Sequence, residues 1–195
     1  MPLTQLDSFP ALIIVDLQKM VVGFPLARPA AEIVERSARL AREFRKQGFP
    51  VILVNVAGRT PGRADNRFNF SPPPDWTEPV PELDRQPEDY TVTKLQVGAF
   101  YGTALELILR RHGVTQVFLT GIATAGGVES TARSAQDHGY NVVLVVDAMT
   151  DRDADSHQLT IEKIFPRIGE TTTTDAVLKR LQEAAGVGTN AVAGK

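Results

Sequence analysis

The pattern of apolar residues along the chain predicts buried strands that alternate with amphipathic helices. The run from Ala11 to Val15 is too short for a buried helix, is rich in Ile and Val, and ends at Asp16. Apolar positions then recur at helical spacing from Pro29 to Gln47, Gly48 supplies a stop, and Val51 to Val56 follows as a second strand. Buried strands without polar alternation are typical of a parallel sheet that is covered by helices on both faces.

After an interruption, the alternation of strands and helices resumes. The interruption from Ala57 to Pro87 is dense in Pro, Gly, Arg and Asp, and is either functional or partly disordered. Beyond it we predict strands at Thr91–Thr93, Gln116–Thr120, Val142–Val146 and Ile168–Thr172, and helices at Thr103–His112, Gly127–His138, Asp155–Ile164 and Asp175–Ala184. We therefore expect one α/β domain over residues 1–185 and a flexible tail over residues 186–195.

The composition narrows the classes of function. The chain has 195 residues, 43% of them hydrophobic, and a formal net charge of -2, so we expect no nucleic-acid partner. No apolar run approaches the roughly 20 residues of a membrane helix, and the N-terminus lacks the pattern of a signal peptide. We expect a soluble, cytoplasmic protein with no membrane partner. Because the chain has no cysteine, disulfides, thiolate metal sites and a thiol nucleophile are excluded.

Three candidates for chemistry follow predicted strands, at the edge of a parallel sheet where ligands bind. Asp16 follows a buried strand, where a carboxylate needs either a task or a structural partner such as an N-cap or an ion pair. Lys94 closes a short strand in the same topological position, where it is either a proton-relaying neighbour of the carboxylate or a surface charge. The turn from Gly121 to Gly127 either presents N–H groups to an anion or only supplies unusual backbone angles.

These segments resemble the isochorismatase-like hydrolases, a family of cysteine hydrolases. The similarity runs from about Ala11 to Leu178 and is carried by IIVDLQ, TKLQVGAFYGTALELIL and TGIATAGGVESTARSAQDHGYNVVLVVDAMTD. The resemblance implies a three-layer αβα fold with a mostly parallel, Rossmann-like sheet and a hydrolase that acts on a small molecule. It also implies that Asp16 and Lys94 are catalytic.

The resemblance assigns roles within the turn as well. The bond between Ile122 and Ala123 matches the family's cis peptide, and the N–H groups of Ala123 and Gly127 match its oxyanion hole. Gly127 stands where most of the family carries its nucleophilic cysteine, so no covalent acyl-enzyme can form.

Several explanations of Gly127 stay open. In the true isochorismatases, which also have glycine here, the resemblance implies protonation of a vinyl ether by the aspartate and attack by water. The chain is otherwise a nucleophile-deficient relative of the amidases, a chain changed from Cys to Gly to trap a substrate, or a non-catalytic binding protein. Our leading hypothesis is a hydrolase of a vinyl ether or a small amide.

Candidate substrate-binding residues lie beside Asp16 and in the irregular loop. They are Gln18, Arg59, Arg63, Arg67, Phe68, Phe70 and Trp76. The arginines suit a substrate carboxylate and the aromatic side chains suit an apolar pocket, although solvated loop charges are at least as common.

We expect neither a metal nor a cofactor. The segment after the second strand, VNVAGRTPGRADNRF, has none of the histidines with which the nicotinamidases of this family bind a metal. His112, His138 and His157 fall in or beside predicted helices, where a surface or capping role is the ordinary interpretation, and only His157 follows an acidic run. The resemblance further implies a homodimer or a higher homo-oligomer.

Overall fold

The structure is a computed structural model, and it describes residues 3–58, 60–63, 65 and 72–192. Within these residues the strands are β1 Pro10–Val15, β2 Val51–Val56, β3 Tyr90–Lys94, β4 Gln116–Ile122, β5 Asn141–Thr150 and β6 Glu170–Thr172. All six of these strands pair in parallel, in the order β3-β2-β1-β4-β5-β6.

Helices connect the strands and cover both faces of the sheet. They are α1 Lys19–Val22, α2 Ala30–Lys46, α3 Leu105–Arg111, α4 Glu129–Asp137, α5 Ala154–Leu159 and α6 Thr174–Val192. Short 3-10 turns lie at Pro81–Leu83 and Phe165–Arg167, and wider π-helical turns lie at Thr124–Val128 and Thr160–Ile164.

The side chains of β1 divide the core into two layers. Leu12 and Ile14 pack into one apolar cluster with α2 and α6, whereas Ile13 and Val15 pack into a second cluster with α3 and α4. Since every residue of β1 is buried, both faces of the strand have to be apolar, which explains its unbroken hydrophobic run. The fold is therefore the predicted three-layer αβα sandwich with a parallel sheet.

The order of the strands places a crevice between β1 and β4. β2 and β3 extend the sheet on one side of β1, and β4, β5 and β6 extend it on the other. Connections from the two halves cover opposite faces, so the carboxyl ends of β1 and β4 border an opening in which α/β proteins bind ligands.

Several elements differ from their predicted bounds. β5 runs to Thr150 rather than to Val146, because a register shift lets Met149 and Thr150 pair with Gly121 and Ile122 of β4. The helix predicted from Gly127 begins as the turn Thr124–Val128 and becomes regular only at Glu129. The helix predicted over Asp155–Ile164 is split into α5 and a π-helical turn, and α6 continues beyond Ala184 to Val192.

The irregular loop is partly described. Gln18 and Pro79 form an isolated antiparallel bridge, and a short 3-10 turn follows at Pro81–Leu83. Arg59, Arg67, Phe68 and Phe70 lie outside the described residues. Among the residues that are described, we find no helix with the length and apolarity required to cross a membrane.

Candidate functional site

The carboxylate of Asp16 is buried directly after β1. Its side chain follows five buried apolar residues, and the residue is only 6% exposed. Its backbone has a φ of 53°, which is uncommon for a residue with a side chain, and its N–H donates to the carbonyl of Val54 at 2.8 Å. Such backbone conformations concentrate at functional sites.

Lys94 reaches Asp16 across the intervening strand. Its Nζ donates to Oδ2 of Asp16 at 2.8 Å and to the carbonyl of Gln96 at 3.3 Å, and it is 2% exposed. Two strand spacings amount to roughly 10 Å, so only a long side chain at the end of β3 can contact a residue after β1. The structure thus brings together two residues that are far apart in the sequence.

Asp16 is only partly compensated by this ion pair. Within the described residues, its Oδ1 is buried and has no hydrogen-bond partner. Burial raises the pKa of Asp16 from 3.8 to about 6, although the charge and the hydrogen bond of Lys94 act in the opposite direction. A carboxyl group with such a pKa exchanges protons readily near neutral pH.

The turn after β4 packs against this carboxylate. Gly121 has a φ of 117°, and a Cβ built there would lie 2.0 Å from the carbonyl oxygen of Val15, so only glycine permits this approach of β4 to β1. The peptide bond between Ile122 and Ala123 is cis. A Cβ at Gly127 would lie 3.1 Å from Cγ1 of Val15 and 3.2 Å from Oδ2 of Asp16, so position 127 faces the carboxylate.

One cavity of about 330 Å³ joins these groups. Its lining comprises the predicted catalytic and turn residues Asp16, Lys94, Ile122, Ala123 and Gly127, together with Val21, Phe24, Val56, Gly58, Thr60, Gln96, Val97 and Arg152. A larger groove of about 430 Å³ lies along α2, but its charged side chains, Glu35, Arg42 and Glu82, are all exposed. The buried titratable pair therefore places the candidate site in the smaller cavity.

The predicted substrate-binding residues that the structure describes do not line this cavity. The side-chain amide of Gln18 donates to the carbonyls of Val56 and Trp76, and its oxygen accepts from the N–H of Val56 at 2.8 Å. Gln18, Arg63 and Trp76 are absent from the described lining of the cavity. Arg59 and Phe68 lie outside the described residues.

Arg152 is a lining residue that sequence reasoning missed. Its guanidinium carbon lies 5.2 Å from the centre of the Phe24 ring, on the same cavity as Asp16. It stands two residues after β5, so the rule that selected the other candidates applies to it as well. The predicted end of this strand at Val146 hid that relation.

The described residues around the cavity do not form a cluster of metal-binding side chains. Within the described ranges, no group of three or more His, Cys, Asp or Glu side chains is placed to hold a metal ion.

Comparison with known proteins decides the family. The isochorismatase domain model matches residues 10–176. The chain belongs to the isochorismatase family. It is 42% identical over 180 residues to YwoC, an uncharacterized isochorismatase family protein of Bacillus subtilis, with 88% of this chain and 94% of that protein covered. An isochorismatase family structure from Burkholderia thailandensis superposes with a TM-score of 0.85 at 40% identity, covering 91% of this chain and 97% of the other.

Isochorismatase family members with named activities include hydrolases of amide bonds. The chain is 28% identical to maleamate amidohydrolase of Pseudomonas putida, with 91% of this chain and 89% of that protein covered. N-carbamoylsarcosine amidase from Thermoplasma acidophilum has a TM-score of 0.69 at 28% identity, with 86% of this chain and 97% of the other covered. The family thus identifies the chain as a hydrolase, as its sequence predicts.

Proposed function

We propose that this chain hydrolyses a small molecule with water as the nucleophile, and that Asp16 is the residue that transfers the proton. The substrate is a vinyl ether or a small amide. The observation that carries the proposal is the buried pair of Asp16 and Lys94, which lines the same cavity as Gly127 and leaves one carboxylate oxygen without a partner among the described residues.

Gly127 explains why water replaces a thiol. The resemblance of the segment TGIATAGGVESTARSA to the family implies that Gly127 stands where the family carries its cysteine, and the chain has no cysteine elsewhere. The position that a Cβ would take lies 3.2 Å from Oδ2 of Asp16. A water molecule in this space is within hydrogen-bonding reach of the carboxylate, which is the geometry that a general base requires.

The same residues support two versions of the chemistry. With an amide, ionised Asp16 takes a proton from water, the water oxygen bonds to the carbonyl carbon, and Asp16 returns the proton to the departing nitrogen as the C–N bond breaks. The N–H groups of Ala123 and Gly127 would face the oxyanion. With a vinyl ether, protonated Asp16 donates its proton to the terminal carbon, and water adds to the resulting oxocarbenium ion while it returns a proton to Asp16. The C–O bond of the hemiketal then breaks as the hydroxyl proton passes to the departing oxygen, which leaves a carbonyl compound and an alcohol.

Arg152 favours a substrate that carries a carboxylate. Its guanidinium brings a positive charge to the wall of the cavity, and the contact with the ring of Phe24 holds it there. Because Arg152 lines the cavity and a guanidinium binds a carboxylate through two parallel hydrogen bonds, it is the group that we assign to the substrate anion.

A second candidate function is binding without turnover. Its specific support is again Gly127, because a chain derived from thiol hydrolases loses its nucleophile by this single change. In that case small amides or vinyl ethers bind in the cavity and no product forms.

The first experiment is a screen of small amides and vinyl ethers that carry a carboxylate, with Asp16→Asn as the test variant. We expect Asp16→Asn to lower kcat/KM by about 10²–10⁴-fold, the usual contribution of a general acid or base. Asp175→Asn, at a side chain that is 81% exposed, is the matched control. Equal turnover by both variants would remove Asp16 from the chemistry, and tight binding without product would favour the second candidate.

The dependence of kcat/KM on pH separates the two chemistries. Because the pKa of Asp16 is raised to about 6, a general base is active above this pH and a general acid below it. Amide hydrolysis should therefore rise as the pH passes through about 6, and vinyl-ether hydrolysis should fall. A profile without any inflection between pH 5 and 7 would contradict both.

Gly127→Cys tests the inferred ancestry of the site. The new thiol would stand beside Asp16 and Lys94 at the start of a helix, where its pKa should be lowered. We expect amidase activity to appear in Gly127→Cys and to vanish in the double variant with Asp16→Asn. Absence of activity in Gly127→Cys would show that more than the nucleophile differs from the thiol hydrolases.

We also propose that the chain forms a homodimer or a higher oligomer, as its family resemblance implies. Size-exclusion chromatography with light scattering across micromolar concentrations tests this directly. Elution as a monomer throughout would contradict it.

A further inference from the structure

His157 contacts the turn that carries Gly127 from outside the cavity. The ring Nδ1 of His157 lies 2.8 Å from Oγ1 of Thr124, the first residue of the turn. Thr124 is fully buried and His157 is 8% exposed, so water does not compete with this contact. Asp153 accepts from the N–H of Ser156 at 2.9 Å and so caps the helix that presents His157.

Asp151 forms a second hydrogen bond with the same turn. Its Oδ2 accepts from the N–H of Ala125 at 2.8 Å, and its Oδ1 accepts from the N–H of Arg152 at 2.7 Å. One buried carboxylate therefore joins the turn to the residue that we assign to the substrate anion. The two walls of the cavity are linked through it.

The turn needs such external contacts because its own residues restrict it little. Gly126 has φ and ψ of -124° and -107°, which is not a helical conformation, and Gly127 follows it directly. Two adjacent glycines lose much conformational entropy when they are held in one conformation. Contacts from a neighbouring element offset that loss.

His157 is set to make this contact in its neutral form. Burial lowers its pKa, the nearby charge of Arg28 lowers it further, and Asp151 acts in the opposite direction. At neutral pH the ring therefore offers one donor and one acceptor nitrogen, and either role satisfies the hydroxyl of Thr124.

We propose that His157 and Asp151 are positioning residues for the candidate site: they hold residues 124–127 against Asp16 and so fix the orientation of position 127. The proposal rests on the proposed function, since it takes this turn to be part of the site. Neither side chain needs to touch the substrate for this role.

A thiol at position 127 reports the orientation without any substrate. In a Gly127→Cys background the chain has no other cysteine, so alkylation by iodoacetamide across a range of pH gives the pKa of that thiol alone. Thr124→Val removes the hydroxyl while keeping the shape, and Thr124→Ser restores it. His157→Leu removes the ring nitrogen, and His157→Asn keeps a polar group near Nδ1.

We expect Thr124→Val and His157→Leu to raise the thiol pKa and to slow alkylation at pH 7 by about three- to tenfold, the effect of one lost buried hydrogen bond. Thr124→Ser and His157→Asn should stay within about twofold of the background. Tyr90→Phe, which removes a hydrogen bond to His112 at the opposite end of β3, controls for a general loss of stability. Equal thiol pKa values in all variants would overturn the proposal.

A second measurement needs no change in the turn. The Asp16→Asn variant is used so that residue 16 does not titrate. NMR spectra recorded as the pH is lowered then give the chemical shifts of the His157 ring and of the backbone amides of Thr124 and Ala125. We expect the amide shifts to move with the titration of His157. Amides that stay constant through it would contradict a positioning role. Neither measurement depends on turnover, so either can fail while the proposed hydrolase activity stands.

Discussion

Two buried ion pairs, Arg45 with Asp89 and Lys94 with Asp16, lie at opposite edges of the sheet. They differ in how many hydrogen bonds each carboxylate accepts. Arg45 binds both carboxylate oxygens of Asp89, at 2.9 Å and 2.7 Å, and the N–H of Gln86 adds a third hydrogen bond at 2.9 Å. Asp16 has one hydrogen bond from Lys94, and its second oxygen has no partner among the described residues. Asp89 precedes β3 whereas Asp16 follows β1, so only the second pair faces the ligand-binding edge.

The bidentate contact with Arg45 is typical of a structural carboxylate, whereas Asp16 is the carboxylate that the proposed function uses. The planar guanidinium of Arg45 matches a carboxylate with two parallel hydrogen bonds, whereas an ammonium group is a point charge that leaves one oxygen free. For Asp16, burial outweighs the single contact with Lys94 and raises the pKa of the carboxyl group to about 6.

The largest effect on stability should come from breaking the satisfied pair. Arg45→Met leaves Asp89 buried without its counter-charge, and we expect a loss of about 3–5 kcal/mol in the free energy of unfolding. Chemical denaturation measures it. Arg133→Met, which removes an exposed helical ion pair with Glu129, is the control and should cost less than about 0.5 kcal/mol. Similar losses in both variants would erase the distinction between the two pairs.

The pair of Asp16 and Lys94 should instead lower the free energy of unfolding as the pH rises. Because the pKa of Asp16 is higher in the folded chain than in the unfolded chain, the folded chain binds more protons between pH 3.8 and about 6. Its stability relative to Asp16→Asn should therefore fall across this window, by roughly 3 kcal/mol at most, and stay constant above it. Denaturation of both proteins at several pH values measures this change. A stability of the parent chain that rises with pH relative to Asp16→Asn would refute the prediction.

The smallest effect concerns the space beside Asp16. Gly127→Ala places a Cβ 3.1 Å from Val15 and 3.2 Å from Asp16, which requires a small local shift and should cost about 1 kcal/mol. The added methyl group also excludes water from the carboxylate, so the pKa of Asp16 should rise further. Carbon-13 NMR of the carboxyl group measures this pKa. Gly62→Ala, where an added Cβ meets nothing within 4 Å, should leave both quantities unchanged.

The sequence was sufficient to find the candidate pair because both residues stand at the ends of predicted strands. Asp16 follows the apolar run Ala11 to Val15, Lys94 closes the short strand TVTK, and parallel pairing brings strand ends to one edge. The sequence did not identify Arg152 as a site residue because Asp147 interrupts the apolar pattern of β5. The structure accommodates that charge, since the carboxylate of Asp147 accepts from the N–H of Thr174 at 2.7 Å, a contact between residues that no local pattern relates.

Gln18 illustrates the opposite limit. Its place two residues after Asp16 suggested a role with substrate, and that role stays a prediction. In the structure its amide closes three hydrogen bonds with the backbone around Val56 and Trp76. Sequence position indicates that a polar side chain lies near a site, but only the hydrogen bonds decide whether it has any capacity left for a ligand.

The route of Lys94 across β2 has a consequence for the order of folding. Asp16 and Lys94 are separated by 78 positions along the chain, and the strand between them must be paired before the lysine can reach the carboxylate. Closing a loop of that length comes late relative to the formation of local helices. During refolding, catalytic competence should thus emerge only after most of the circular dichroism signal has recovered, and an incompletely folded chain has no partial version of the site.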